Sequence, residues 1–94
     1  GNCRKFTHVP TPKPKLFYVK PFLDRTTPFL IFHGTEDVVV PIKDSEKLYD
    51  ALVENNVPAE LYEVEGASHM DVRFLQPQVF KIVMDFLDKY LTRP

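Results

Sequence analysis

The chain has 94 residues, of which 44% are hydrophobic and 27% charged, and this composition is typical of one small globular domain rather than of a disordered chain. Twelve basic and 13 acidic residues give a net charge of −1, which excludes the basic surface that nucleic acids or anionic membranes require. The longest apolar runs are short, such as residues 29–32, whereas about 20 apolar residues are needed to span a bilayer.

Prolines concentrate at the start of the chain, where five of the nine lie before residue 29. Proline has no N–H to donate within a helix or sheet, so a Pro-Thr-Pro-Lys-Pro run is expected to be extended and solvated. We therefore interpret residues 1–15 as a Pro-rich arm or linker and residues 16–94 as the folded segment. Residues 16–19 have the composition of a short strand, which Pro21 restricts to a sheet edge.

The pattern becomes regular from residue 28 onward. Residues 29–32 form a continuous apolar run that ends near Gly34, and such a run is typical of a strand buried on both faces of a parallel sheet. Pro41 and Asp44 then indicate the start of a helix, whose apolar residues recur at i, i+3 and i+4 spacing. The Asn-Asn-Val-Pro segment at residues 55–58 ends it.

A second strand and a second helix follow. Residues 60–65 alternate polar and apolar side chains, which predicts a strand, and the Gly-Ala-Ser-His segment at 66–69 interrupts it. Pro77 is suited to the first turn of a helix, and the wide apolar face of residues 79–91 is expected to belong to the core. The order strand–helix–strand–helix predicts an α/β fold, with a short parallel sheet of two or three strands and two helices.

Two polar residues follow the predicted strands directly. Asp37 comes after the first strand and His69 after the second, 32 residues later. Because reacting groups in parallel α/β units gather beyond the carboxyl ends of the strands, we expect these two side chains to meet at one sheet edge. An Asp behind a His is the acid–base half of a hydrolytic triad, since the carboxylate fixes the imidazole tautomer and stabilises the imidazolium.

The segments that carry these residues resemble the α/β-hydrolase fold superfamily, in which the chain order is Ser, Asp, His. Residues 28–41 resemble the acid-bearing segment of esterases and lipases, 45–52 the helix that follows, and 59–69 the last strand with its histidine loop. The His-Gly-…-Asp pattern is shared with prolyl-oligopeptidase-like members, whereas residues 64–69 are closer to small bacterial acyl and acetyl esterases. The resemblance extends over about residues 26–92.

The resemblance implies a serine hydrolase, most simply a carboxylic-ester hydrolase of the esterase or lipase type, with Asp37 and His69 as catalytic residues and no metal or organic cofactor. The family's nucleophile sits in a Gly-x-Ser-x-Gly elbow, and neither Ser45 nor Ser68 lies between two such glycines. Residue 1 is glycine rather than methionine. We therefore expect the C-terminal segment of a longer enzyme, inactive by itself, whose substrate is a small ester or a peptide.

Other interpretations remain open beside this one. The chain is alternatively a non-catalytic interaction or packing module derived from a hydrolase, or a segment of a prolyl-oligopeptidase-like serine peptidase. His33 is interpreted as a structural imidazole that holds the acid loop, and Glu36 and Asp71 as solvent-facing residues near the site. The spacing of His33, Asp37, His69 and Asp71 fits no zinc signature. The compartment is left open.

The small size of the predicted sheet has a consequence for assembly. Two or three strands leave an apolar sheet edge with unpaired N–H and C=O groups, and such edges template pairing with another chain. We therefore predict self-association, most simply as a two-fold dimer joined by strand edges or by exchange of the Pro-rich arm. The single cysteine, Cys3, excludes an intrachain disulfide that would stabilise the monomer instead.

Overall fold

The computed structural model describes residues 2–7 and 27–91. Its elements, in chain order, are β1 (Cys3–Phe6), β2 (Phe29–Gly34), α1 (Ile42–Glu54), β3 (Ala59–Val64), a short 3₁₀ helix (Val72–Leu75) and α2 (Pro77–Leu91). Within these residues, neither helix is long and apolar enough to cross a membrane.

The sheet has three strands in the order β1–β3–β2. β2 and β3 are parallel, with a register that runs from Phe29 opposite Ala59 to Gly34 opposite Val64, and α1 connects them. β1 lies antiparallel on the other side of β3. The predicted α/β fold, with a parallel strand pair and two helices, is confirmed, but the third strand makes the sheet mixed rather than parallel.

β1 is an element that the sequence did not predict, because residues 3–6 fall within the segment interpreted as an arm. Its partners are remote: Phe6 packs edge to face on Tyr49 of α1 with ring centroids 5.3 Å apart, and Arg4 lies 3.8 Å from Glu63. The strand expected at residues 16–19 lies outside the described residues. The division of the chain at residue 15 therefore stays a prediction.

The core lies between α1 and the sheet, and Leu52 of α1 and Leu61 of β3 are fully buried there. α1 begins after Pro41, whose extended backbone leads into the first turn, and it ends at Asn55. The side-chain nitrogen of Asn55, Nδ2, donates to the Ala51 carbonyl at 2.8 Å and so caps the last turn. This packing fixes the direction in which the chain re-enters the sheet as β3.

The second helix is far less covered than the first. Val79 is the one buried residue of α2 in the described structure, whereas Phe80, Met84, Leu87 and Leu91 form an exposed apolar stripe. The expectation that this face belongs to the core is therefore wrong for the stripe, whereas Val79 is buried as expected. The stripe is apolar surface of the kind that marks interfaces, and the self-association expected from the sequence stays a prediction.

Candidate active site

Two loops leave the carboxyl ends of the parallel strands side by side. We call residues 35–41, after β2, the acid loop and residues 65–71, after β3, the histidine loop. The Gly66 amide donates to the Thr35 hydroxyl oxygen at 2.8 Å, and the Glu36 amide donates to a carbonyl of the histidine loop at 2.9 Å. These hydrogen bonds hold the two loops in one fixed arrangement.

Gly34 allows the loops to come this close. A Cβ atom built on Gly34 would stand 2.1 Å from the Ala67 carbonyl oxygen, closer than any side-chain carbon can approach. The same carbonyl oxygen accepts the Glu36 amide at 2.9 Å. Glycine at the end of β2 therefore sets the separation between the acid loop and the histidine loop.

Asp37 is the acid of the candidate site. One of its oxygens, Oδ1, accepts the amides of Val39 at 2.9 Å and Val40 at 2.8 Å, while Oδ2 accepts Nδ1–H of His69 at 2.9 Å. These hydrogen bonds, above all the one from the Val40 amide, lower the pKa of Asp37 to about 2. Burial of the carboxylate acts in the opposite direction but is a smaller effect. The carboxylate is thus ionised, and its side chain is only 6% exposed.

His69 is the candidate base. Its side chain is 44% exposed, and its Nδ1–H bond to Asp37 leaves the proton-accepting lone pair on Nε2. Within the described part of the chain no group hydrogen-bonds that nitrogen. An imidazole held in this tautomer can take a proton from a hydroxyl at Nε2, while the carboxylate stabilises the cation that forms.

His33 lies behind Asp37 and is buried. Its Nδ1 accepts the Ser45 hydroxyl at 2.6 Å, and its Nε2–H donates to the Val40 carbonyl at 2.8 Å and lies 3.5 Å from Asp37 Oδ2. Through these contacts the imidazole links the first turn of α1 to the end of the acid loop. The structure thus places His33 where the sequence interpretation put it, holding the loop that carries the acid.

Asp71 does not face solvent as the sequence analysis expected, since its side chain is only 10% exposed. Its carboxylate accepts the Ser68 amide at 2.9 Å, the Ser68 hydroxyl at 3.0 Å, the Arg73 amide at 2.8 Å and Arg73 Nη1 at 2.8 Å. The two amides, followed by the Ser68 hydroxyl and the Arg73 charge, lower the pKa of Asp71 to about 2. The Ser-x-x-Asp spacing was the available signal for this turn.

Within the described part of the chain, neither serine hydroxyl is hydrogen-bonded to His69. Ser45 Oγ is bonded to His33, and Ser68 Oγ donates to Asp71. A cavity of about 420 Å³ opens beside the Asp37–His69 pair, with the apolar side chains of Phe74 and Met70 in its wall. Among the described residues, no group of three or more His, Cys, Asp or Glu side chains is arranged to hold a metal ion.

The sequence is similar to known hydrolases and to segments of larger enzymes. A probable isoprenylcysteine alpha-carbonyl methylesterase of Oryza sativa subsp. japonica is 44% identical over 46 residues, which are 49% of this chain and 11% of that protein. The non-reducing polyketide synthase ausA of Penicillium brasilianum is 39% identical over 44 residues, which are 47% of this chain and 2% of the synthase.

A further polyketide synthase, mapC of Penicillium roqueforti, is 35% identical over 52 residues, which are 55% of this chain and 2% of that protein. The chain therefore spans a small part of the length of the curated relatives that it matches. No solved structure matches the chain. Residues 7–93 match the prolyl oligopeptidase family, and the chain belongs to that family of serine hydrolases with the α/β-hydrolase fold.

Proposed function

We propose that this chain supplies the acid and the base of a serine hydrolase active site that cleaves carboxylic esters. The observation that supports the proposal most directly is the 2.9 Å bond between His69 Nδ1 and Asp37 Oδ2 beside an open cavity. A pure packing module has no use for an ionised, shielded carboxylate aimed at an exposed imidazole. The cavity gives a substrate room to reach that imidazole.

In the proposed reaction, His69 Nε2 takes the proton of a serine hydroxyl as the serine oxygen attacks the ester carbonyl. The proton then passes from Nε2 to the leaving alcohol, and water repeats the cycle on the acyl-enzyme. Asp37 orients the ring and stabilises the imidazolium throughout. Neither Ser45 nor Ser68 is hydrogen-bonded to His69 or lies in a Gly-x-Ser-x-Gly elbow, so in this proposal the nucleophile comes from outside these 94 residues.

Ester cleavage is favoured over peptide cleavage by the similarity to the probable methylesterase, although that similarity spans 49% of this chain. Membership of the prolyl oligopeptidase family supports peptide cleavage as the second candidate. Both reactions pass through the same acyl-enzyme chemistry and need the same acid and base. Comparing a p-nitrophenyl ester with a peptide p-nitroanilide as substrates of the complete polypeptide separates the two.

The decisive test compares Asp37→Asn with Asp85→Asn in the complete polypeptide that carries this segment. Asp85 is an exposed carboxylate paired with Lys81, so its variant makes the same chemical change away from the site. We expect Asp37→Asn to lower kcat by about 10⁴-fold, because the amide favours the wrong imidazole tautomer. Asp85→Asn should leave kcat unchanged.

Two controls complete this test. The 94-residue chain alone should show no ester hydrolysis above a buffer blank, since neither of its serines lies in a Gly-x-Ser-x-Gly elbow or is hydrogen-bonded to His69. His69→Ala should abolish turnover by the complete polypeptide. Unchanged kcat in Asp37→Asn would contradict the proposed triad, and a complete polypeptide that binds partners but turns over neither substrate would favour the packing-module alternative.

A further inference from the structure

The carboxylate of Asp71 encloses the segment that carries His69. Its Oδ2 accepts the amide of Ser68, the residue before His69, and its Oδ1 accepts the amide of Arg73, four residues after His69. The remaining contacts, from the Ser68 hydroxyl and Arg73 Nη1, also belong to this turn. The candidate base therefore lies on a turn that closes around a single side chain.

The turn contains an unusual backbone conformation. Met70, between His69 and Asp71, has a φ of 55°, in the left-handed region that residues other than glycine, asparagine and aspartate rarely adopt. Met70 is 88% exposed, so packing of its side chain does not hold the backbone there. The side-chain hydrogen bonds that span Met70 are those of the Asp71 carboxylate to the amide and the hydroxyl of Ser68.

The direction of the His69 side chain depends on this conformation. A return of Met70 to an ordinary backbone conformation would rotate the peptide units on both sides of it, and His69 is its direct neighbour. The acid is held separately, by the Val39 and Val40 amides and by His33, and would not follow. A change confined to the turn would therefore separate the imidazole from Asp37.

We propose that Asp71 is the positioning residue of His69: its carboxylate holds the turn 68–73 closed over Met70 and so aims Nδ1–H at Asp37. The positioning role serves the proposed hydrolase function and rests on it for its catalytic meaning. Asp71 acts through the turn, because its carboxylate hydrogen-bonds to Ser68 and Arg73 rather than to the imidazole.

The test reads the tautomer of His69 in the ¹⁵N-labelled 94-residue chain. Long-range correlations from the carbon-bound ring protons to the ring nitrogens show which nitrogen carries the proton, at a pH where the imidazole is neutral. A His69→Gln variant assigns the signals among the three histidines of the chain. We expect protonated Nδ1 in the parent chain and loss of that preference in Asp37→Asn, which removes the acceptor.

Three variants then examine Asp71. Asp71→Asn should shift His69 towards the mixed tautomers seen in Asp37→Asn, while Asp85→Asn, the matched change on α2, should leave the parent signals. Asp71→Ser retains a short acceptor that can cap the Arg73 amide but cannot span Met70 to reach Ser68. It should therefore keep the fold, read from the amide signals of β2, β3 and α1, and still lose the Nδ1–H preference.

The outcomes separate the inference from the proposed function. Retention of protonated Nδ1 in Asp71→Ser would overturn the inference, since Asp71 would then only cap the 3₁₀ helix. The same retention in a folded Asp71→Asn chain would also overturn it, while leaving the Asp37–His69 pair intact. A parent chain without protonated Nδ1 would instead contradict the pair on which the proposed function depends.

Discussion

The acid loop and the histidine loop are each organised by an aspartate that accepts backbone amides, but the two aspartates have different further partners. Each follows a parallel strand, and each contains an aspartate that accepts two backbone amides and has a pKa of about 2. Asp37 has a further partner in the other loop, His69, whereas the Asp71 carboxylate hydrogen-bonds to Ser68 and Arg73 of its own turn. The first carboxylate hydrogen-bonds a histidine of the neighbouring loop, and the second hydrogen-bonds groups of its own turn.

Exposure separates the two loops further. The acid is shielded, with His33 behind it, while His69 is 44% exposed on its loop. Shielding strengthens the interaction between a carboxylate and an imidazolium, and exposure lets the imidazole meet a substrate. In the proposed acid–base pair the carboxylate is therefore shielded and the imidazole accessible, and two neighbouring loops with different hydrogen-bond partners provide these opposite surroundings.

The largest expected effect on folding comes from Gly34, where the loops are closest. Gly34→Ala should lower the free energy of unfolding by about 3 kcal/mol, because its Cβ meets the Ala67 carbonyl oxygen, which belongs to backbone and cannot rotate away. Gly66→Ala is the control, since a Cβ there has room and the positive φ of 81° costs only about 1–2 kcal/mol. Urea denaturation measures both, and equal losses would show that the loops can separate freely.

The pH dependence of stability tests whether the two aspartates are alike. Both have a folded pKa lowered from 3.8 to about 2, so their contribution is complete above pH 4 and is lost as the pH falls towards 2. In Asp37→Asn and in Asp71→Asn, the urea midpoint should therefore fall less between pH 4 and pH 2 than it does in the parent chain. A flattening in only one variant would show that the carboxylates differ.

Glu63 of β3 has a raised pKa in the folded state, whereas the pKa values of Asp37 and Asp71 are lowered. The hydrogen bond with the Glu46 side chain is the largest cause that raises the pKa of Glu63 from 4.5 to about 7, and burial is the next. The protonated form is favoured in the folded state, so this contribution is complete below pH 4.5 and is lost as the pH rises through 7. In Glu63→Gln, the urea midpoint should fall less as the pH rises through 7 than it does in the parent chain, and its fall below pH 4 should be unchanged.

The smallest effect expected is at Met70, and it tests whether the histidine loop is strained where the acid loop is not. Met70→Val should lower the free energy of unfolding by about 1 kcal/mol, because β-branched side chains fit poorly at a φ of 55°. Met70→Asn should be neutral or stabilising, since asparagine tolerates this region. Because Met70 is exposed, lost burial does not confuse the comparison. The reverse order in thermal or urea denaturation would contradict a left-handed Met70.

Sequence patterns predicted the elements whose signals are local or repeated. The apolar run of β2, the alternation in β3 and the spacing in α1 each follow from burial on particular faces. The placement of Asp37 and His69 on neighbouring loops followed from topology, because parallel strands end at the same edge. Their roles in catalysis are proposals that the variants above test.

What sequence reasoning missed depends on partners far away in the chain or on backbone detail. β1 is four residues long and exists through pairing with β3, which no pattern within residues 3–6 reveals. Asp71 is shielded within the turn that its carboxylate closes around Met70, and the left-handed conformation of Met70 leaves no mark on composition. The α2 face was assigned to the core because its apolar pattern cannot say whether a covering element is present.

The position of β1 also has a consequence for the order in which the chain can fold. Cys3 pairs with Val64, and the Glu65 amide, the first of the histidine loop, donates to the Asn2 carbonyl at 2.7 Å. Pairing of β1 with β3 before β2 has joined the sheet would close a loop of nearly two-thirds of the sequence, whereas pairing after β2 and β3 are in place closes only residues 7–28, at a lower entropic cost. The support of the candidate base is therefore completed by the first residues of the chain joining a sheet that later residues have already built.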